Sequence, residues 1–216
     1  MAATKRAAQD PRAAARAHLR SRDRVLRRLV DAQPDLDPRA WLESFPPLDA
    51  FGTLVLQVIG QQLSVAATRR ILDKVQAAFG GHLPTSAEAL SAGDAAFVAA
   101  GMSRRKAATV VAIAAAFEDG TLAERRFASQ SDEEIEAELT AIPGVGPWTV
   151  HGFLIIALDR PDVVLPGDLA LRRAIRGCYG LDHLPTQDEV RALAEPWRPY
   201  RSLATAYLFG SEFGDE

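Results

Sequence analysis

Apolar residues recur along this chain mainly at intervals of three or four, the spacing that places side chains on one face of an α-helix. Residues 11–33 show the pattern clearly, with Leu19, Leu26 and Val30 among the positions of the expected inner face. Apolar and polar residues nowhere alternate for long enough to indicate a β-strand. We therefore predict an all-α protein.

Capping residues mark where several of the helices should begin. Ser64 is expected to cap a helix that continues to Phe79, and Ser103 a helix over 104–118. Ser131, followed three residues later by Glu134, forms the capping-box pattern. The other predicted helices cover 48–59, 121–128, 147–158, 169–178, 187–195 and 200–210, with two short ones starting at Thr85 or Ser86 and at Asp94.

Composition limits the possible classes of protein. A chain of 216 residues with 48% apolar content can form one globular unit or two small lobes. The single cysteine, Cys178, excludes an intramolecular disulfide and any four-cysteine iron–sulfur or zinc site. The sequence lacks both an apolar run of about 18 residues and the apolar segment of a secretory signal. We expect a cytoplasmic protein with no membrane partner.

Charge is distributed unevenly. The formal net charge is −3, which argues against a uniformly basic nucleic-acid binder. Residues 1–30 carry nine basic and two acidic side chains, a balance of +7 that leaves −10 for the rest. This basic segment is either a surface that faces DNA or a solvated helix, and the sequence leaves both readings open.

A short glycine turn, Pro143-Gly144-Val145-Gly146, separates two of the predicted helices. Glycine allows positive φ and close approach of the backbone, and Pro147 suits the first position of the second helix. A bare turn of this kind can be a simple connection. The whole pattern L-x-x-I-P-G-V-G-P-W-T-V from Leu139 to Val150, however, resembles the helix-hairpin-helix of many DNA-binding proteins.

The hairpin resemblance implies several contacts. Such hairpins hold DNA phosphates without recognising sequence, so Gly144, Gly146 and Thr149 are expected at the backbone of the DNA. Hairpins of this family also commonly bind a monovalent cation, Na⁺ or K⁺, through main-chain carbonyls. The matching positions are Thr140, Ile142 and Val145. No other cofactor is expected to be required.

Asp168 follows the hairpin by about two dozen residues, at the end of the Pro/Gly loop 163–167. Taken alone, Asp168 is an ordinary N-cap for the next helix. The order hairpin, apolar helix, Pro/Gly loop and aspartate resembles the helix-hairpin-helix, glycine/proline-rich loop, aspartate superfamily of base-excision DNA glycosylases. The resemblance extends from about Asp49 to Phe209 and gives Asp168 the catalytic role.

Three further segments, 58–65, 103–106 and 197–204, resemble the 3-methyladenine DNA glycosylase II type. They carry Gln-Gln-Leu-Ser, Ser-Arg-Arg-Lys and Trp-Arg-Pro-Tyr-Arg-Ser, respectively. Well-known bacterial members have an additional N-terminal β domain. The roughly 45 residues before Pro46 look helical here, so we expect a compact version.

The resemblance assigns roles to the remaining candidates. Trp148, Phe209 and Tyr207 would line a pocket for the damaged base, although Tyr207 and Phe209 could equally belong to the core of the last helix. Gln61, Gln62 and Leu63 are expected DNA contacts, and either Gln62 or Leu63 would enter the gap left by a flipped nucleotide, although Leu63 could equally be core. The expected phosphate contacts are Arg104, Lys106 and Arg201, each of which could equally be a solvated charge.

Trp148 also predicts the type of reaction. Bifunctional members carry a lysine here that attacks the sugar and leads to strand cleavage. We therefore expect a monofunctional hydrolase acting on alkylated purines of the 3-methyladenine and 7-methylguanine type. The alternatives are a glycosylase for another damaged or mispaired base, such as uracil or hypoxanthine, and a non-catalytic damage-binding protein.

The expected architecture is two helical lobes with a DNA-binding cleft. Residues 1–48 and 159–216 would form one lobe, and residues 49–158 the other, with the hairpin over about 139–158. The expected partner is double-stranded DNA with a flipped alkylated base, bound by a monomer.

Overall fold

The computed structural model describes residues 12–213, and within this range the chain is helical without a β-strand. The all-α prediction is confirmed. In chain order the helices of the described range are α1 (Ala13–Arg22), α2 (Arg24–Ala32), α3 (Ala50–Gly60), α4 (Val65–Ala78), α5 (Ser86–Ala99), α6 (Arg104–Glu118), α7 (Glu124–Phe127), α8 (Asp132–Thr140), α9 (Pro147–Ile156), α10 (Leu169–Tyr179), α11 (Gln187–Ala194) and α12 (Arg201–Phe213). Two short 3₁₀ turns cover Ala40–Ser44 and Glu195–Trp197.

The chain divides into two compact units. One, the terminal unit, combines Met1–Pro38 with Pro161–Glu216, and the other, the central unit, is Arg39–Arg160. The described part of the terminal unit contains α1, α2 and α10–α12, and the central unit contains α3–α9. The helices of the hairpin therefore belong to the central unit, whereas Asp168 belongs to the terminal unit.

The single helix predicted over 11–33 is wrong, because the chain breaks at Asp23. This residue is extended (φ −142°, ψ 127°), and its carboxylate accepts hydrogen bonds from the N–H groups of Val25 and Leu26, which caps α2. The expected inner face is largely correct, since Leu19 and Leu26 are fully buried. Residue 11 of the predicted range lies outside the described residues.

Asp23 also joins distant parts of the terminal unit. The Tyr179 hydroxyl donates to Asp23 Oδ2 at 2.6 Å, and the buried Trp197 indole donates to the same oxygen at 3.1 Å. Burial alone would raise the pKa of Asp23. The hydrogen bonds from Tyr179, Trp197 and the two N–H groups outweigh burial, and the pKa of Asp23 is lowered.

Asp23 should therefore make stability sensitive to acid. A lowered pKa in the folded state adds stability above the ordinary carboxyl pKa of 3.8, and this contribution is lost as pH falls through the folded-state value. Asp23→Ala is expected to cost about 3 kcal/mol at neutral pH, because it removes a cap and leaves the buried Trp197 indole and the half-buried Tyr179 hydroxyl without their acceptor. Urea unfolding of both proteins, measured from neutral pH to about pH 2, should show that the difference in free energy of unfolding between wild type and Asp23→Ala becomes smaller in acid. A difference that is independent of pH would contradict the role of the Asp23 carboxylate.

The core of the central unit is built around α3. Every residue from Ala50 to Ile59 is buried, which explains the continuous apolar run in this segment. A chain of edge-to-face aromatic contacts runs from Phe51 through Phe117 and Phe127 to Phe153 on α9. The second helix of the hairpin is thereby fixed to the core.

Local capping signals predict most helix starts correctly. Ser64, Ser103 and Ser131 cap α4, α6 and α8 through their side-chain oxygens. Thr85, one of the two alternatives, caps α5 with a capping box completed by Glu88. The two short helices expected here follow each other as α5, with a kink at Gly93, where φ is +67°. Among residues 12–213, no helix is both long and apolar enough to cross a bilayer.

Candidate functional site

The glycine turn between α8 and α9 is tightly held. Val145 N–H donates to Ile142 O at 3.1 Å, and Thr109 Oγ1 on α6 donates to Pro143 O at 3.0 Å. Gly144 has φ +91°, and a Cβ atom on it would lie 2.0 Å from Thr109 Oγ1. Both the backbone conformation and the close approach of Thr109 therefore require glycine at position 144.

Gly146 has a different role from Gly144. It is extended (φ −120°, ψ 174°) and acts as the N-cap of α9, with Pro147 in the first turn. A Cβ on Gly146 would meet nothing within 4 Å. The expectation of positive φ thus holds only for Gly144. The Gly146 N–H has no hydrogen-bond partner among the described residues and stands at the positive end of the α9 dipole, so it is suited to an anion.

Gln61 and Thr149 hold the hairpin in place. Gln61 Nε2 donates to Gly144 O at 3.1 Å and to Thr149 Oγ1 at 2.9 Å. Thr149, predicted to contact DNA, is 1% exposed and its hydroxyl accepts a hydrogen bond from Gln61, so its side chain acts within the hairpin. Gln61, also predicted to contact DNA, instead ties the α3–α4 turn to the hairpin.

Lys106 stabilises the same turn from α6. Its ammonium donates to Ile59 O at 2.8 Å and to Gln61 O at 2.7 Å, at the C-terminal end of α3, where a cation is favoured. Burial lowers the pKa of Lys106. These contacts replace the predicted phosphate contact, which is therefore not seen for Lys106. Arg104, at the start of the same helix, is exposed and stays a candidate for that role.

The turn supported by Gln61 and Lys106 presents two exposed residues. Gln62 adopts positive φ (+58°), an unusual conformation for a residue other than glycine. Leu63 is 41% exposed, which excludes the alternative that it is a core residue. An apolar side chain thus projects from a turn that is fixed to the hairpin by hydrogen bonds.

Asp168 begins α10 in the terminal unit. Its Oδ1 accepts a hydrogen bond from Leu171 N–H at 2.8 Å, and its own N–H donates to Leu165 O at 3.0 Å. The preceding residues Val163, Val164 and Leu165 are buried, whereas Asp168 itself is half-buried. Asp168 is therefore an N-cap on a packed loop, and the residue is half-buried.

Arg201 anchors the loop that leads to Asp168. Its Nε donates to Asp162 Oδ1 at 2.6 Å, while Arg198 pairs with Asp162 Oδ2 at 2.8 Å. Ser202 Oγ accepts a hydrogen bond from Val163 N–H at 3.0 Å. Arg201 is thus engaged within the terminal unit, and the predicted phosphate contact is replaced by a structural ion pair.

The three aromatic candidates have different environments. Tyr207 is 1% exposed, and its hydroxyl accepts a hydrogen bond from Arg16 at 3.0 Å. Its assignment to the base pocket is therefore wrong, and it belongs to the core of α12. Phe209 and Trp148 are half-buried in their respective units. The tip of the Trp148 indole lies beside Gly60, where an added Cβ would be 3.9 Å away.

Comparison with known proteins identifies the family. Residues 55–199 match the HhH-GPD superfamily of base excision DNA repair proteins. The chain belongs to this superfamily.

Individual relatives agree with this assignment. DNA-3-methyladenine glycosylase 1 of Schizosaccharomyces pombe is 32% identical over 194 residues, which cover 89% of this chain and 84% of that protein. YfjP of Bacillus subtilis is 36% identical over 109 residues, which are 50% of this chain and only 38% of YfjP. The structure of the S. pombe 3-methyladenine DNA glycosylase with abasic DNA matches with a TM-score of 0.85 and 30% identity, over 94% of this chain and 98% of that one.

The sequence did not indicate two residues that position the site of this HhH-GPD protein. Thr109 holds the glycine turn, and Asp162 holds the loop before Asp168. Each acts through a partner more than 30 residues away, so no local pattern marks it. The only available signal was indirect, namely an isolated polar residue on the apolar face of α6 for Thr109.

The Na⁺ or K⁺ expected at the carbonyls of Thr140, Ile142 and Val145 stays a prediction. Ile142 O accepts the Val145 N–H, and a carbonyl oxygen keeps a second lone pair for a hard cation. Within the described residues, side chains of His, Cys, Asp and Glu form no group of three or more that is suited to a metal ion.

Proposed function

We propose that this chain is a monofunctional DNA glycosylase that hydrolyses the N-glycosidic bond of alkylated purines, of the 3-methyladenine and 7-methylguanine type, in base excision repair. One observation carries the proposal. This chain of the HhH-GPD superfamily combines a half-buried N-cap aspartate, Asp168, with an aromatic residue, Trp148, at the position where the family resemblance places the lysine of bifunctional members. The names of the relatives from S. pombe support the substrate class.

The hairpin is proposed to bind the backbone of double-stranded DNA as a monomer. Gly146 N–H and the positive end of α9 favour a phosphate, and the strict requirement for glycine at 144 keeps the turn in shape. Contacts of this kind position the duplex without selecting a sequence. Na⁺ or K⁺ at the carbonyls of Thr140, Ile142 and Val145 would add positive charge beside that phosphate.

The exposed turn is proposed to stabilise the extruded nucleotide. The glycosidic bond is inaccessible inside the duplex, so the nucleotide must be flipped out at a cost of a few kcal/mol. Leu63 is apolar and exposed, and Gln62 precedes it in an unusual backbone conformation. Inserted into the gap, these side chains would offset part of the lost stacking.

Asp168 is proposed to promote the hydrolysis. In a cationic alkylpurine, the bond from the sugar to the base breaks with both electrons remaining on the base, which leaves as a neutral molecule. The carboxylate stabilises the oxocarbenium-like sugar and takes a proton from the attacking water, whose oxygen bonds to the sugar carbon. One carboxylate suffices, because a cationic base needs no proton from a second acid.

Aromatic residues are proposed to recognise the positive charge of the base. Trp148 and Phe209 are both half-buried, so neither is sealed in the core as Tyr207 is. A cation over an aromatic face gains roughly 0.5–2 kcal/mol. This preference would favour alkylated purines over the neutral normal bases.

Product analysis tests the proposal. A labelled duplex with an alkylated purine is incubated with the protein, and free base, abasic sites and strand breaks are measured with and without borohydride. We expect free base and alkali-sensitive abasic sites, with strands that stay intact until alkali is added. A borohydride-trapped covalent complex would instead reveal a Schiff base and refute the monofunctional assignment.

Leu63→Ala should separate stability from base extrusion. Because Leu63 is exposed, we expect the free energy of unfolding to change by less than about 0.5 kcal/mol. Base release under single-turnover conditions should fall roughly tenfold, because the gap in the duplex is no longer filled. Val65→Ala is the matched control, since Val65 is also exposed (61%) and follows the same turn. Equal effects of the two substitutions would contradict a specific role for Leu63.

A further inference from the structure

Gln57 is a buried amide without a partner. It lies in the middle of α3 and is 8% exposed. None of the hydrogen bonds among the described residues involves its side chain. Its amide atoms keep slight solvent access, unlike the four unpaired polar atoms of the described residues that have none, namely Thr53 Oγ1, Gln130 Oε1, Asp132 Oδ1 and Thr205 Oγ1. The amide of Gln57 is therefore unpaired but keeps a narrow access to the outside.

The amide lies against the backbone of α9. A Cβ atom on Gly152 would be 2.2 Å from Gln57 Oε1 and 3.0 Å from Nε2, so the space of a side chain at 152 is occupied by the amide. Trp148 is one turn before Gly152 on α9, and its indole tip lies beside Gly60, one turn after Gln57 on α3. Gln57 and Gly60 of α3 thus lie against Gly152 and the Trp148 indole of α9, at two levels about one helical turn apart along the α3–α9 contact.

This arrangement is unfavourable for the protein alone. Buried polar groups nearly always have a hydrogen-bond partner, and an unpaired amide costs stability. Methionine has the same length and would fill the space beside Gly152 without that cost. A buried amide in this position therefore indicates a polar partner that arrives from outside.

We propose that Gln57 is a specificity-determining residue that hydrogen-bonds the polar edge of an extruded adenine-type base, a proposal that rests on the function proposed above. A glutamine amide pairs with adenine through two hydrogen bonds, in which its oxygen accepts from the exocyclic amine and its nitrogen donates to a neighbouring ring nitrogen. 3-Methyladenine retains this edge. 7-Methylguanine has a carbonyl in place of the amine and a methyl group on the ring nitrogen beside it. Trp148 would supply the attraction for the positive charge common to both bases, and Gln57 the preference between them.

The test compares duplexes that carry 3-methyladenine, 7-methylguanine or an abasic-site analogue. Single-turnover release of 3-methyladenine and of 7-methylguanine is measured for Gln57→Met, together with the affinity for a duplex that carries an abasic-site analogue. We expect release of 3-methyladenine to fall about tenfold, release of 7-methylguanine to change less than about threefold, and the abasic affinity to stay unchanged. An abasic duplex has no base edge, so its affinity reports on the hairpin and the turn alone.

Two further variants keep the result interpretable. Gly152→Ala introduces a Cβ that must displace the Gln57 amide, so it should give the same selective loss without removing the amide. Thr53→Val is the matched control, because Thr53 lies one turn before Gln57 and its hydroxyl is sealed and unpaired. It should leave both releases unchanged.

The other outcomes would overturn the inference. An equal loss on both bases, a loss of abasic affinity or no loss at all would each show that Gln57 only packs against Gly152. If the wild type releases neither base, the proposed function itself fails. If the wild type is active and Gln57→Met leaves its preference between the two bases unchanged, only the role of Gln57 fails.

Discussion

Asp168→Asn is expected to slow the release of 3-methyladenine by roughly 10³-fold, within the range observed for loss of an acid–base group. The amide cannot take a proton from water, and its lack of charge removes the stabilisation of the sugar cation. Asparagine caps a helix about as well as aspartate, so the hydrogen bond to Leu171 N–H and the start of α10 should persist. We therefore expect unchanged thermal unfolding and unchanged affinity for an abasic-site duplex.

Asp49→Asn provides the control for this substitution. Asp49 caps α3 through a hydrogen bond from Gly52 N–H at 2.6 Å, so the same chemical change is made at another helix start. Its effect on base release should be less than about twofold. If Asp168→Asn released base at the wild-type rate, the catalytic assignment would be wrong and the cap would be its whole role.

Gly144→Ala is expected to damage the hairpin itself. Alanine at φ +91° is strained, and its Cβ would lie 2.0 Å from Thr109 Oγ1, so the turn must move. We expect a loss of about 3 kcal/mol in the free energy of unfolding, together with weaker binding of an abasic-site duplex. Urea unfolding and fluorescence anisotropy measure the two effects.

Gly146 offers the matched comparison within the same turn. Its backbone is extended and a Cβ there would meet nothing within 4 Å, so Gly146→Ala should cost less than about 1 kcal/mol. If it nevertheless weakens DNA binding, the loss arises at the DNA contact and not in the fold. Equal destabilisation by the two substitutions would contradict the strained turn deduced for Gly144.

Features encoded by neighbouring residues could be predicted from the sequence. Ser131 and Glu134 form their capping box within one turn, and the glycine turn is marked by the adjacent residues Pro143 to Gly146. The all-α fold and the boundaries of α4, α6 and α8 follow from such signals. The role of Asp168 as a cap is equally local, since Leu171 is only three residues away.

Side-chain direction could not be predicted in the same way. The family resemblance predicts phosphate contacts for Lys106 and Arg201, yet both bind partners that are distant in sequence, Ile59 and Asp162. The resemblance left Tyr207 either in the pocket or in the core, and a distant residue, Arg16, donates to its buried hydroxyl and places it in the core. A motif identifies which residues are present, whereas packing decides which of them face the ligand.

The break at Asp23 shows the same limit in secondary structure. The apolar spacing of residues 11–33 continues through it, so periodicity alone predicts one helix. What stabilises the break is tertiary, since Tyr179 and Trp197 donate to the same carboxylate oxygen. The sequence between α1 and α2 contains no sign of these partners.

The central claim is that this HhH-GPD protein removes alkylated purines, and mass spectrometry of the free bases released from methylated duplex DNA tests it most directly. We expect wild-type protein to release 3-methyladenine and to leave an equal number of abasic sites, and Asp168→Asn to release almost none. Wild-type protein that binds the methylated duplex but releases no free base would contradict the claim and indicate a damage-binding protein. Release of uracil or hypoxanthine from matched duplexes, without 3-methyladenine, would contradict the proposed substrate.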